Sequence, residues 1–131
     1  MATKFNVAPA LSVPFKTTAA IGATPTVAAY FSATPYPLCA FWCEVKALAL
    51  YADGSLAGAY WLTGVFRSNA AGTVTQVGAT ASVIAAIEDT ASMDCGMSAS
   101  GTAILVTVTG VAATEINWVL DNTIRHAPFD K

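Results

Sequence analysis

"TAILVTVTGVAATEINWVLDNTIR", residues 102–125, holds two alternating runs joined by a short link of small residues. In the first run Ile104, Val106 and Val108 face one way, and Leu105, Thr107 and Thr109 the other; Gly110 ends it. In the second, Ile116, Trp118, Leu120 and Ile124 oppose Glu115, Asn117, Asp121 and Arg125. Period two is the repeat of a strand, and Val, Ile, Thr and Trp suit a pleated, packed surface. The stretch reads as a β-hairpin with almost nothing in it that could do chemistry.

Working outward, the same period recurs. "FWCEVKALALYADGSLAGAYWLTGVFR", residues 41–67, places two runs around Asp53-Gly54, a dipeptide favoured in tight hairpin turns. Cys43, Val45, Ala47, Ala49 and Tyr51 alternate with Glu44, Lys46, Leu48 and Leu50. Tyr60, Leu62, Gly64 and Phe66 alternate with Trp61, Thr63, Val65 and Arg67. Apolar residues therefore occupy both faces of both runs, whereas a strand with one wet face shows polar residues at every second position. A second sheet would cover one side, and a partner the other.

"SNAAGT" reads as a turn, "TVTQVG" as a short strand, and "SMDCGMSAS" as another with Met93, Cys95 and Met97 on one face. Residues 82–88 fit either a short helix capped by Ser82 or an irregular strand crossing between sheets; strand or loop is the preferred reading. Short runs with regularly spaced turns indicate an all-β fold, an antiparallel β-sandwich or jelly roll. The domain spans residues 38–126, with a C-terminal tail at 127–131.

Residues 1–37 differ. Pro9, Pro14, Pro25, Pro35 and Pro37 fall among Ala, Thr and Ser, and exclude a long helix or a central strand. Phe5, Phe15, Tyr30 and Phe31 punctuate the segment as bulky anchors. It reads as an extended N-terminal arm laid along a surface, its own or a neighbour's, and these four aromatics are the expected partner contacts. A poorly ordered tail is the competing reading.

Charged residues make up 11% of the 131 residues and hydrophobic residues 55%, against about 25% charged in ordinary soluble domains. A monomer with so few charges would face water largely with Ala, Thr, Ser and Gly; the preferred reading is that much of the surface is buried against other subunits, in a homo-oligomer for which a trimer is one option. A net charge of −2 with scattered basic residues argues against nucleic acid. No run of 18 or so apolar residues is present to span a membrane, and the interrupted N-terminus is not expected to be a cleaved signal. Cys39, Cys43 and Cys95 leave one thiol over in any internal pairing; on one strand Cys39 and Cys43 would stand about 13 Å apart, too far for a bridge. Free buried thiols are expected.

Parts for catalysis are short. The single histidine, His126, has no cleft motif around it and reads as a surface residue. Cys39, Cys43, Cys95 and His126 would match a tetrahedral ligand count but lack metal-site spacing. Glu88, Asp89 and Asp94 read as solvated turn residues, without the pattern of a calcium loop or glycosidase pair. No phosphate- or dinucleotide-binding glycine pattern occurs, so no cofactor is expected. Trp61 and Trp118 read as core; Tyr36 and Trp42 remain as surface aromatic contacts.

Five pieces in combination, Val65–Arg67, "GTVTQVG" at 72–78, "EDTASMD" at 88–94, "VTVTG" at 106–110 and "INWVL" at 116–120, resemble small β-structured virion proteins of tailed bacteriophages, of the head-decoration and fibre type. The resemblance covers roughly residues 45–125 and departs at Met93, where the pattern usually has tryptophan. It implies a structural, non-enzymatic role in the virion, assembled in the bacterial host cytoplasm. The expected function is a capsid decoration subunit that self-associates and docks on the major capsid protein or another virion protein. The alternative is a receptor- or glycan-binding module of a tail or head fibre, for which Tyr36, Trp42, Asp53 and Asn69 are the candidate contacts.

Overall fold

A computed structural model describes residues 10–21, 25–112 and 114–129, with side chains from residue 25 onward. The chain is all-β, folded as two antiparallel sheets packed face to face. The strands are β1 (Ala10–Ile21), β2 (Thr26–Ser32), β3 (Cys39–Tyr51), β4 (Ala57–Ser68), β5 (Val74–Ser82), β6 (Ile87–Glu88), β7 (Asp94–Ser100), β8 (Ala103–Thr109) and β9 (Glu115–Pro128). The larger sheet runs β1-β9-β3-β4-β5, with β6 also paired to β4; the smaller runs β2-β8-β7.

Strand β3 is the middle of the larger sheet, and its buried and outward positions alternate without a break from Cys39 to Tyr51. It pairs with β4 through the Asp53-Gly54 turn, as its sequence indicates. There Asp53 Oδ1 accepts hydrogen bonds from the Ser55 amide and hydroxyl at 2.9 and 2.6 Å, while Gly54 takes a φ of +75°. The core lies between the sheets. Trp118, Phe41, Phe66, Met93, Ile116 and Leu120 are its largest fully buried side chains, and Ala28, Ala33, Ala47 and Ala49 let the layers approach closely around them.

The opening stretch is corrected in one respect. Strands β8 and β9 do not form a hairpin, because β8 lies in the smaller sheet and β9 in the larger. Each run has its own buried apolar row: Ile104, Val106 and Val108 in β8, and Ile116, Trp118 and Leu120 in β9. Folding the link over so that these faces meet across the core removes both from water. A flat hairpin would leave them side by side, still needing cover.

Both described stretches of the proline-rich segment are edge strands of the sandwich, β1 on the larger sheet and β2 on the smaller. Extended backbone needs hydrogen-bond partners, and an edge supplies them on one side while tolerating proline. Pro14 falls within the register shift between Val13 and Lys16 of β1. Similarly, Ala127 and Pro128, read as tail, pair with Ala40 and Cys39 at the end of β9. Strand β5 extends through Ser82, and residues 82–88 are non-helical.

Candidate interaction face

One face of β3, β4 and β9 forms the core; the other points away from it. The outward residues of β3 are Ala40, Trp42, Glu44, Lys46, Leu48 and Leu50. Register sets Trp42 between Arg125 of β9 and Val65 of β4, and sets Lys46 between Asp121 and Trp61. Leu48 lies between Val119 and Ala59. Beyond Val65 comes Val77 of β5. Trp42 is 57% exposed, Leu48 58%, Leu50 47% and Val65 41%. Side chains of this size gain most by leaving water. Their concentration on one sheet face is informative where scattered single residues would not be.

The face also carries order of its own. The Trp42 indole N–H donates to Thr63 Oγ1, and that hydroxyl donates to the Cys43 carbonyl at 3.1 Å. Lys46 Nζ lies 4.7 Å above the centre of the Trp61 ring. Two shallow depressions flank β3. One, of about 300 Å³, is lined by Trp42, Glu44, Thr123 and Arg125; the other, of about 410 Å³, includes Lys46, Leu48, Trp61, Ile84, Val119 and Asp121. Charges are sparse and balanced: Lys46, Arg67 and Arg125 against Glu44, Glu115 and Asp121.

The sequence-derived contacts scatter. Phe5 lies outside the described residues. Phe15 sits in β1 at the register shift, where only the backbone is described. Tyr30 is 68% exposed on the outer side of β2. Phe31, on the inner side, stacks on Tyr36 at 5.5 Å and meets Phe41 edge-on at 5.6 Å. Tyr36 in turn contacts His126 at 5.2 Å. Phe31 and Tyr36 are thus packed against the protein's own core, while Tyr30 and Trp42 point outward. Asp53 and Asn69 are occupied within their turns; Asn69 Oδ1 accepts from the amides of Ala71 and Thr73 at 3.0 and 2.9 Å.

Trp61, read as core, is on the outward face beneath Lys46; Trp118 is fully buried. The alternation separates the two sets of β3 and β4 residues correctly, but by itself does not mark Leu48, Leu50 and Val65 as contacts. The available signal was that Glu44 and Lys46 share a phase with Leu48 and Leu50. Charged residues rarely enter a core, so that phase must be the outer one.

The acidic cluster of the sequence and the three thiols have structural roles. Tyr60 Oη donates to Glu88 Oε2; burial, and then the carboxylate beside it, push the phenol far above its ordinary range. Asp89 Oδ2 accepts from the Ala57 amide at 2.8 Å, and Asp94 Oδ1 from the Cys95 amide at 2.8 Å. Cys39, Cys43 and Cys95 are buried free thiols, and burial pushes Cys43 and Cys95 up to about 12. Among the described residues no group of three His, Cys, Asp or Glu side chains is placed to hold a metal ion.

No family model matches the chain, and no curated protein does. Among solved structures, the fold is similar to part of the tailspike protein of Acinetobacter baumannii phage AM24, with a TM-score of 0.54 at 9% identity. The likeness covers 88% of this chain and 26% of the tailspike, so the chain spans about a quarter of that protein's length. At that identity the likeness is one of fold.

Proposed function

We propose that this chain is a non-enzymatic structural module of a phage particle, which self-associates and docks on another virion subunit. One observation carries the reading: the outer face of the larger sheet exposes Trp42, Leu48, Leu50 and Val65 around a few balanced charges. Covering about 1,000 Å² of apolar surface contributes on the order of 25 kcal/mol before association and ordering costs are subtracted. In a particle with many copies, a small surplus at each contact suffices. Glu88, Asp89, Asp94 and the three thiols are engaged in holding turns, strands and core together, which favours an assembly role over catalysis.

Two sites on a particle suit such a module. As a capsid decoration subunit it would cement the major capsid lattice, with exposed aromatics such as Tyr30 and Trp42 as contacts. The alternative, a fibre or spike module that binds a receptor or glycan, is supported by the fold likeness to a tailspike. Quantitative mass spectrometry of purified particles, with antibody labelling in electron micrographs, tests the proposal. Many copies on the head support the decoration role, and copies confined to the tail support the spike role. Particles without the protein would overturn both.

A further inference from the structure

We infer that the outer face of the larger sheet is the contact surface for a second copy of this chain, seated face to face across a two-fold axis crossing β3 near Val45. The inference deepens the self-association part of the reading above and is independent of where on a particle the protein sits.

The argument starts from four outward positions of the middle strand. Trp42, Glu44, Lys46 and Leu48 read apolar, acid, base, apolar. Turned end for end, the same row reads apolar, base, acid, apolar. A second copy rotated about an axis in the plane of the face, perpendicular to β3, therefore sets Glu44 on Lys46 of the second copy, and Lys46 on its Glu44. The same rotation sets Trp42 on Leu48, twice. The row is complementary to itself in this orientation and in no parallel one, which would stack Lys46 on Lys46. Because sheets twist, two packed faces approach closest along their middle strands, and β3 is the middle strand here.

Two further features fit a like partner. Among the described side chains, three basic and three acidic residues of β3, β4 and β9 balance on this face, although the chain carries a net charge of −2. Two such faces therefore do not repel each other as whole molecules of this charge would. The exposed parts of Trp42, Leu48, Leu50, Val65, Val77, Ile84 and Ile87 amount to on the order of 600 Å², against the ~800 Å² that each partner contributes to a standard interface. With the intervening polar groups included, the face is large enough for a specific dimer.

Sedimentation equilibrium of the purified chain at micromolar concentrations tests this, using Glu44→Lys, Lys46→Glu, the double exchange, and Leu48→Glu, with circular dichroism to verify folding. The expected result is a dimer. Either single charge reversal places like charges at both contacts and weakens association by at least about tenfold. The double exchange restores it, and Leu48→Glu abolishes it. A wild-type monomer, a trimer, or a dimer indifferent to Glu44→Lys would overturn the inference, as would a double exchange that fails to rescue. Particle occupancy is a separate readout, so either proposal can fail alone.

Discussion

Lys46 Nζ stands 4.7 Å above the ring of Trp61, the residue directly opposite it in the β3–β4 ladder. The ammonium meets the negative face of the indole while its methylene stem covers the ring. The pair thus shields a large aromatic on an outward face. At a site this open the interaction contributes about 0.5–1 kcal/mol. Lys46→Ala should lower unfolding stability by that order and change the Trp61 fluorescence. Denaturant titration checks it, and an unchanged midpoint would refute it.

Asn122 gives the opposite sign. Its side chain is 4% exposed, points into the core from β9, and among the described residues has no hydrogen-bond partner on either Nδ2 or Oδ1. A void of about 20 Å³ adjoins it, lined also by Ala29, Phe31, Val45 and Ile104. A buried amide without partners costs about 1–3 kcal/mol. Asn122→Leu, with the same branched outline but apolar and larger, with the adjoining void to take up part of the extra bulk, should raise stability by about 1–2 kcal/mol, read as a higher Tm. A lower Tm would mean that the amide is satisfied in solution.

The buried thiols make stability fall in alkali. Cys43 and Cys95 have pKa values raised by burial from 9.0 to about 12, with Asp94 adding to the shift at Cys95. Below pH 9 both states hold these protons, so the raised values have no effect there. As pH rises from 9 towards 12, the unfolded chain releases them and the folded chain does not. Each thiol then withdraws up to about 1.4 kcal/mol of stability per pH unit. Tyr60, raised in the same direction, adds to the loss at higher pH. Denaturant midpoints measured across this range should fall, and Cys43→Ala with Cys95→Ala should flatten the slope. Equal slopes would contradict the assignment.

The sequence made some of this architecture legible and hid the rest for physical reasons. Period two in β3, β4, β8 and β9 is local, and so is the turn chemistry of Asp53-Gly54; both were readable. Which sheet a strand joins is not local. The link between β8 and β9 looks like a hairpin loop, and only the need to cover two apolar faces at once sends the strands to opposite layers. Strand β2 was harder still. The register shift between Val27 and Ala29 buries two consecutive alanines, so no simple alternation survives there. The outward face was legible only in part. The clash of apolar and charged residues in one phase of β3 was visible, but the neighbours that make it a surface come from β9, some seventy residues further along.

Gly72 allows two costs to be separated. It ends the Asn69 turn with a φ of +83°, and a Cβ built there would come within 3.3 Å of the Thr34 backbone. Several loops meet at this end of the sandwich: the Ala33 amide donates to the Thr102 carbonyl at 2.7 Å, and the Val74 amide to the Gly101 carbonyl at 2.8 Å. Ala33 is wholly buried, so its segment has little room to retreat. Gly54 has a similar φ of +75°, but a Cβ there would meet nothing within 4 Å among the described residues. Gly54→Ala should therefore cost only the left-handed backbone penalty, about 1–2 kcal/mol. Gly72→Ala carries the same penalty and must also push the Thr34 segment outward, so its loss should be clearly larger. Paired denaturant titrations measure the difference. Equal losses would mean that the loops at this end yield freely and that the Gly72 contact adds nothing to the fold.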